Sequence, residues 1–422
     1  MRFPEWWRKL KTSSHLEIEP TVRAPQNELP PETEFLRLSA RRSLDPSDAS
    51  SLLRLLNTDL DWWWVLREGQ RHGLLPLVHD CLARRGWLDM LPPQPRTALV
   101  AAARMVAAHS LWLTGELLRI LRAFAEESIP ALPFKGPVVA VEAYGEIALR
   151  SFADLDILVP QSDLADAQQA LERLGYEPVV ALTPQQERAY LQSECALQYR
   201  HPARSQIVEL HWRFSERHAS IDLPMANVWE RAGHLNLAGT MVRTLSPEDL
   251  VLYLCIHGAK HQWERFEWVC CLAEVIRNRP EIRWNLVCES ARRHGVLRIL
   301  RLGLRLAAEL CGARIPSPAG QGIGSDRVTE GLLSWVMASL FAKPQEASHY
   351  QARALRYRFM LQVRERWSDR VLILMHSAFK PPHPEADEWF QLPPGLAFLH
   401  HVLRPVRLAG QYGAVAWRHY LR

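Results

Sequence analysis

Two acidic residues lie inside an apolar segment that is typical of a buried β-strand. In "ALRSFADLDILVP" (residues 148–160), Asp154 and Asp156 flank Leu155 and are followed at once by three aliphatic residues. Carboxylates are costly to bury without a partner, so a core strand with two of them needs a compensating charge. Because alternate residues of a strand share a face, both carboxylates project together, while Leu155 faces the opposite side.

A third acid lies on a second predicted strand, "SQIVELHW" (residues 205–212), where Glu209 and His211 share one face. If this strand pairs beside the first, Glu209 can meet the two aspartates. Three carboxylates that close repel one another unless a cation lies among them. We therefore predict that Asp154, Asp156 and Glu209 bind Mg²⁺, with two ions about 3.5–4 Å apart. The alternative is an acid pair on a solvated face.

Two further groups suit an anionic ligand. The stretch "PFKGP" places Lys135 and Gly136 in a tight turn at the end of a strand, where backbone N–H groups can approach a phosphate. Arg150, four residues before Asp154, can bind a phosphate through two hydrogen bonds. We predict that these three residues bind a nucleotide. The alternatives are a solvated turn lysine and a salt bridge from Arg150 to one of the acids.

A histidine cluster follows in "IHGAKHQWERFEW" (residues 256–268). On a helix, His257 and His261 are one turn apart and Lys260 lies beside them. A zinc pair is conceivable, although the H-E-x-x-H pattern is missing. Contact with substrate or phosphate would also explain the cluster, and so would ordinary histidines on a helix surface. We keep His211, His257, Lys260 and His261 as candidate substrate or phosphate contacts.

Composition and periodicity predict four regions. They are a poorly ordered, proline-rich leader (1–34), an N-terminal helical region (35–130), a small α/β unit (131–224) and a C-terminal helical region (225–422). The chain has no apolar leader and no run of 18 uncharged apolar residues, so we expect neither a signal peptide nor a transmembrane segment.

Local signals predict several helix starts. Asp48 or Ser50 is expected to cap the first helix, Ser162 the helix after the D-x-D strand, and Ser246 a C-terminal helix. Three consecutive tryptophans, 62–64, cannot all face one side of a helix, so we expect them to anchor the core rather than stack on bases.

Charge and cysteine content exclude some classes of protein. A net charge of +5 is too small to indicate nucleic acid as a partner, and solvated faces explain the arginine-rich segments 290–310 and 351–367. The seven cysteines form no C-x-x-C pair and indicate buried free thiols in a reducing cytoplasm. We therefore expect a cytoplasmic protein.

Taken together, the motifs resemble the family of uncharacterised nucleotidyltransferases in the DNA polymerase β-like superfamily. The chain carries, in the family's order over roughly residues 40–415, "LPFKGPVVAVEAYG", "LRSFADLDILVP", "ERLGY", "IVELHWRF", "CIHGAKHQW" and "LRPVRLAGQYG". The resemblance implies an α+β fold, with a small mixed sheet flanked by large helical parts. It also implies that Asp154, Asp156 and Glu209 bind metal, that ATP or another NTP is the donor, and that a hydroxyl or phosphate accepts the nucleotidyl group.

Two positions depart from the family's pattern. The turn at Lys135 and Gly136 replaces the Gly-Ser turn of the superfamily and lies further upstream, and Cys270 and Cys271 stand where an acid is expected. Beside a nucleotidyltransferase, two classes of protein remain open: an inactive module that binds a nucleotide or a partner, and a D-x-D glycosyltransferase. The acceptor, whether small molecule, peptide or protein, is not predicted.

Overall fold

The computed structural model describes residues 29–204, 206–216, 221, 223–316, 326–342 and 349–379. Most of the predicted leader and the last family motif, at residues 403–413, lie outside these ranges. The helices of the N-terminal part are α1 (Pro31–Ser39), α2 (Pro46–Leu56), α3 (Trp62–Arg71), α4 (Leu75–Arg84) and α5 (Pro93–Glu126).

The middle of the chain forms a five-stranded sheet. Its elements are β1 (Leu132–Pro133), α6 (Pro137–Tyr144), β2 (Asp154–Leu158), α7 (Leu164–Arg173), β3 (Glu177–Pro178), α8 (Pro184–Ser193), β4 (Ala196–His201) and β5 (Gln206–His211). The strand order is β1-β2-β5-β4-β3, with β2 and β5 parallel and the other neighbours antiparallel. This small mixed sheet between helical parts confirms the predicted α+β class.

The helical region predicted after residue 225 also contains two strands, which the sequence analysis missed. A hairpin, β6 (Gly233–Leu237) and β7 (Thr240–Thr244), follows α9 (Met225–Arg231). Its turn has positive φ at Ala238 and Gly239, and the Asn236 side chain accepts a hydrogen bond from the Gly239 N–H at 2.9 Å. Two adjacent residues with positive φ suit the twist of a two-residue hairpin. The strands are short and lie between helical segments, so the sequence pattern did not indicate them.

The remaining described helices complete the C-terminal part. They are α10 (Pro247–Lys260), α11 (Phe266–Asn278), α12 (Trp284–Arg293), α13 (Leu297–Cys311), α14 (Arg327–Leu340), α15 (His349–Val363) and α16 (Trp367–Phe379). The division at residues 35, 131 and 225 stays a prediction.

The two faces of the sheet meet different surroundings. One face contributes Leu155 and Ile157 of β2 and Val208 and Leu210 of β5 to a core that α5, α7 and the hairpin close. The opposite face carries the acids and faces helix α10. A second, larger core joins helices α1–α4 to α10–α14. The apolar face thus fixes the sheet, while the polar face stays available for a site.

Two of the predicted helix caps were wrong. Helix α2 is capped by Asp45, whose side chain accepts the Asp48 N–H at 2.8 Å, because Pro46 occupies the first helical position. Helix α7 follows a short 3₁₀ turn, so Ser162 lies before its start and donates to the Asp163 carboxylate at 2.7 Å instead.

Other local predictions were confirmed. Ser246 caps α10 by accepting the Asp249 N–H at 3.2 Å. Trp62 is buried and Trp63 is exposed, so the tryptophan run does split between core and surface. All seven cysteines are free and buried.

The end of the predicted leader is ordered rather than poorly ordered. Helix α1 begins at Pro31, so the last four residues of the predicted leader are helical.

One described helix, α5, is long and apolar enough to cross a membrane by length and composition alone. Part of it belongs to the sheet core through Leu113 and Leu117. Its buried Glu116 accepts a hydrogen bond from the Tyr176 hydroxyl at 2.9 Å and pairs with Arg204 at 2.6 Å. These contacts tie the helix to the sheet.

Candidate active site

The parallel pairing of β2 with β5 places the acidic side chains on one face. Asp156 lies directly opposite Glu209 in the register, Asp154 is opposite Ile207, and His211 is opposite Leu158. This face borders a cavity of about 560 Å³. All ten predicted site residues line it, namely Lys135, Gly136, Arg150, Asp154, Asp156, Glu209, His211, His257, Lys260 and His261.

Asp156 is the most buried of the three acids, with a fully buried side chain. Its Oδ1 atom pairs with the ammonium group of Lys135 and lies 3.1 Å from His211 Nε2. Burial alone would raise the pKa of Asp156, but Lys135 and His211 outweigh it and hold this pKa well below its usual range. The Oδ2 atom is buried and has no hydrogen-bond partner among the described residues.

His211 bridges the two strands' carboxylates, because its Nε2 also lies 3.2 Å from Glu209 Oε2. Burial lowers the pKa of His211, but its hydrogen bonds to the acids raise this pKa well above 6.5. The other oxygen of Glu209 accepts a hydrogen bond from the Gln198 amide at 2.8 Å. Ligand atoms of Asp156, Glu209 and His211 all lie within 4.8 Å of one another. The structure therefore brings a histidine, rather than Asp154, into the closest cluster.

Asp154 lies at the start of β2, half-buried at the edge of the cavity. Burial and the neighbouring Asp156 raise the pKa of Asp154 to about 6. The pKa values of the two aspartates are therefore shifted in opposite directions. Lys135 and His211 stabilise the ionised form of Asp156, whereas burial and the charge of Asp156 oppose ionisation of Asp154. A divalent cation between them would favour the ionised form of both.

The turn at Lys135 and Gly136 connects β1 to α6. Gly136 has φ +56°, a conformation that favours glycine, and its carbonyl oxygen lies 3.4 Å from the Arg150 guanidinium. Arg150 is buried and pairs with Glu267 at 3.1 Å. The alternative that Arg150 forms its salt bridge with Asp154 or Asp156 was therefore wrong.

Glu267 is a site residue that the sequence analysis missed. Helix α11 presents this buried carboxylate to Arg150 one turn before Cys270 and Cys271, the positions where an acid was expected. The Cys271 thiol instead contacts the Tyr144 hydroxyl at 3.4 Å, and burial raises the pKa of Cys271 to about 11. An acid inside the apolar stretch "RFEWVCCLA" was the signal that could have indicated Glu267.

Helix α10 and the start of α11 form the opposite wall of the cavity. The rings of His257, His261 and Trp268 lie 4.8–5.3 Å apart. Burial lowers the pKa of both histidines, that of His261 to about 3, so both imidazoles are neutral. Within the described ranges, the one cluster of three or more possible metal ligands does not include these two histidines.

Two cations on this cavity are already paired within the chain. Lys260 Nζ lies 2.7 Å from the Glu216 carboxylate. Lys135 pairs with Asp156, and Asp156 and the nearby Tyr253 outweigh the effect of burial and raise the pKa of Lys135. Tyr253, also missed in the sequence, packs its ring edge-on against Phe134 at 5.0 Å. A phosphate that binds either lysine therefore has to compete with a carboxylate.

Comparison with known proteins gives one assignment. No curated protein matches the sequence. Three solved structures are similar over about half of the chain, at TM-scores too low to bear on activity. The antibiotic-resistance factor ANT(2″)-Ia in solution is 14% identical, with a TM-score of 0.30 over 46% of this chain and 92% of that one. ANT(2″)-Ia in complex with adenylyl-2″-tobramycin is 14% identical, with a TM-score of 0.26 over 47% of this chain and 97% of that one. An antigenic nucleotidyltransferase-like protein from Paracoccidioides brasiliensis is 16% identical, with a TM-score of 0.30 over 51% of this chain and 95% of that one.

The family comparison covers more of the chain. Residues 58–312 match the family described as "Uncharacterised nucleotidyltransferase", and they include the sheet, the cavity and both flanking helical walls. This range is more than half of the chain, and the chain therefore belongs to the uncharacterised nucleotidyltransferase family.

Proposed function

We propose that the protein is a metal-dependent nucleotidyltransferase that moves a nucleoside monophosphate from ATP or another NTP to an acceptor. The observation that carries this proposal is a buried carboxylate, Asp156, with one unpartnered oxygen, set opposite Glu209 on the next strand. Family membership supports the reaction class. It also favours nucleotidyl transfer over the alternative of a D-x-D glycosyltransferase.

The residues present fit a divalent cation. Asp154, Asp156 and Glu209 supply the oxygen donors that Mg²⁺ prefers, and the unpartnered Oδ2 of Asp156 is a donor that nothing else in the described chain uses. When bound, Mg²⁺ would polarise the phosphates and stabilise the leaving pyrophosphate. The cavity volume of about 560 Å³ lies in the range of ordinary ligand sites.

The basic residues of the turn divide into two roles in this proposal. Lys135 reaches into the cavity, so it can move from Asp156 to a phosphate and neutralise charge there. Arg150 is held by Glu267 and reaches the Gly136 carbonyl, so it positions the turn rather than contacting the nucleotide itself. The backbone N–H groups near Gly136 are then aimed by a rigid, buried ion pair.

The wall of α10 and α11 is proposed to face the acceptor or the base. His257 and His261 present neutral rings to the cavity, and Lys260 lies beside them. The acceptor is proposed to be a small molecule, a peptide or a protein, with nucleic acid not expected. Cytoplasmic location stays a prediction.

The test is a loss of turnover without a loss of fold. Asp154→Asn and Asp156→Asn should each lower pyrophosphate release from ATP and Mg²⁺ at least about 10²-fold, because transition-state charge loses its stabilisation. Asp166→Asn, an exposed acid on α7, is the control and should leave the rate unchanged. Mass spectrometry of candidate acceptors gives the product, and circular dichroism checks the fold. Turnover like that of the wild type in either site variant would refute the assignment.

A second candidate is a nucleotide-binding module without turnover. The Lys135–Asp156 ion pair favours it, because a cation of the chain already neutralises the most buried acid. Calorimetric binding of ATP with Mg²⁺, without pyrophosphate release in the presence of a broad set of acceptors, would support this candidate instead.

A further inference from the structure

His211 occupies a position in the acidic cluster that the proposed reaction does not explain. The imidazole is buried, and its Nε2 atom contacts carboxylates from both strands. We propose that His211 is a metal ligand, so that the cation is held by two carboxylates and one imidazole nitrogen and the site prefers Mn²⁺ to Mg²⁺. This inference rests on the proposed function only in placing a cation at the acids.

The backbone determines where the ring lies. Alternate residues of β5 share a face, so His211 projects beside Glu209, and the parallel register brings Asp156 across from them. The Phe134 ring packs against the imidazole with ring centres 5.0 Å apart and nearly perpendicular planes. This contact limits rotation of the imidazole and keeps Nε2 directed at the carboxylates.

The distances suit coordination. Nε2 lies 3.1 Å from Asp156 Oδ1 and 3.2 Å from Glu209 Oε2. Adjacent ligands that are each about 2.1 Å from an octahedral ion lie roughly 3.0 Å apart. The two contacts therefore match coordination of one cation once the Lys135 ammonium, which pairs with the same Oδ1 atom, moves away. The unpartnered, buried Oδ2 of Asp156 provides a further oxygen at the same place.

The donor set distinguishes between cations. Three carboxylates would suit Mg²⁺, whereas an imidazole suits first-row transition metals, and His211 would give up its Nε2 proton to solvent when the cation binds. An O,O,N set favours Mn²⁺ over Mg²⁺ because Mg²⁺ binds oxygen ligands, whereas Mn²⁺ suits the carboxylates and, as a first-row transition metal, also accepts an imidazole nitrogen. The rival role for His211, contact with a phosphate, would leave an all-oxygen site.

Pulsed electron paramagnetic resonance of the full chain with Mn²⁺ alone tests this inference, because a directly bound ¹⁴N nucleus modulates the manganese signal. We expect ¹⁴N modulation in the wild type, its loss in His211→Gln, and a fall in Mn²⁺ affinity of at least about tenfold in that variant. His257→Gln removes another histidine of the same cavity and should keep both properties. The preference for Mn²⁺ over Mg²⁺ should shrink in His211→Gln alone.

A second measurement keeps the inference testable if His211→Gln does not fold. Wild-type protein labelled with ¹⁵N-histidine should replace the ¹⁴N modulation by that of ¹⁵N, which shows without any substitution at residue 211 that the ligand is a histidine. His211 is the histidine of the described cluster of possible ligands. Bound Mn²⁺ without nitrogen modulation, or modulation that persists in His211→Gln, overturns the inference, and so does a failure to bind Mn²⁺. Pyrophosphate release by a protein whose bound Mn²⁺ shows no nitrogen ligand would overturn this inference and leave the proposed function standing. Nitrogen coordination without turnover would support this inference and leave the proposed function without support.

Discussion

Replacing Glu267 with glutamine tests whether a buried ion pair supports the site. Glu267 is 1% exposed, and its carboxylate is the ion-pair partner of Arg150, whose side chain is 10% exposed. The nearby carboxylate raises the pKa of Arg150 even though burial opposes this, so the guanidinium keeps its charge. Glutamine has almost the same shape, so the substitution removes a charge without opening a cavity.

The expected cost follows from the uncompensated charge that remains. Removing one partner of a buried pair typically costs about 3–5 kcal/mol of unfolding free energy. The lower end applies here, because the 3.1 Å contact between Arg150 Nε and Glu267 Oε1 lacks hydrogen-bond geometry, so the substitution removes the charge attraction alone. Arg265, the second partner, is 36% exposed and loses little, since water replaces the carboxylate. We therefore expect Glu267→Gln to lower the unfolding free energy by about 3 kcal/mol in urea titrations.

The matched control is Glu289→Gln. Glu289 pairs with Arg293 at 2.6 Å, one turn apart on α12, with side chains 60% and 63% exposed. Its loss should cost no more than about 0.5 kcal/mol. Arg150→Met in the Glu267→Gln background should cost less than the sum of the two single substitutions, because no unpaired charge remains. A Glu267→Gln protein as stable as the control variant would show that the pair contributes nothing.

Two further predictions concern the junction between α3 and α11. His72 is buried with its Nδ1 accepting the Phe266 N–H at 3.1 Å, and burial lowers the pKa of His72 well below 6.5. The stability that the neutral ring contributes is complete above pH 6.5 and is lost as the pH falls, by about 1.4 kcal/mol at pH 5.5. Asparagine keeps a hydrogen-bond acceptor but does not titrate, so the unfolding free energy of His72→Asn in urea titrations should depend less on pH. Parallel curves would contradict this. Gly73→Ala should cost at least about 2 kcal/mol more than Gly86→Ala: both glycines have φ near +70°, but only at Gly73 would a Cβ lie 2.0 Å from Glu267 Oε2. Equal losses in the two variants would mean that α11 moves aside freely.

Much of the fold follows from local pattern. The strands that carry the acids were predictable, because the two-residue period of a strand and the composition of "DLDILV" and "IVELHW" are local properties, while the α+β class was implied by the family resemblance. The hairpin β6–β7 was missed because its strands are short and lie between strongly helical segments. The helix caps failed where a proline or a 3₁₀ turn moved the start by a few residues.

The residues that meet at the cavity were predictable, but their ion-pair partners were not. All ten candidates line one cavity, yet Arg150 pairs with Glu267 and Lys260 with Glu216, residues that no motif connects to them. Their roles stay predictions. Spacing within a strand gives the side on which a residue lies, but a long side chain takes the nearest counter-charge in three dimensions.

The amino-acid sequence alone determined the acids' strand and the face they share, because these depend on neighbours along the chain, and the order of its motifs indicated the family. Tertiary structure decided that Asp156 meets Lys135 and that the closest cluster of possible ligands in the described chain joins it to Glu209 and His211. It did so because the parallel register of β2 with β5, and the packing of α10 and α11 over them, bring together charges that are far apart in sequence.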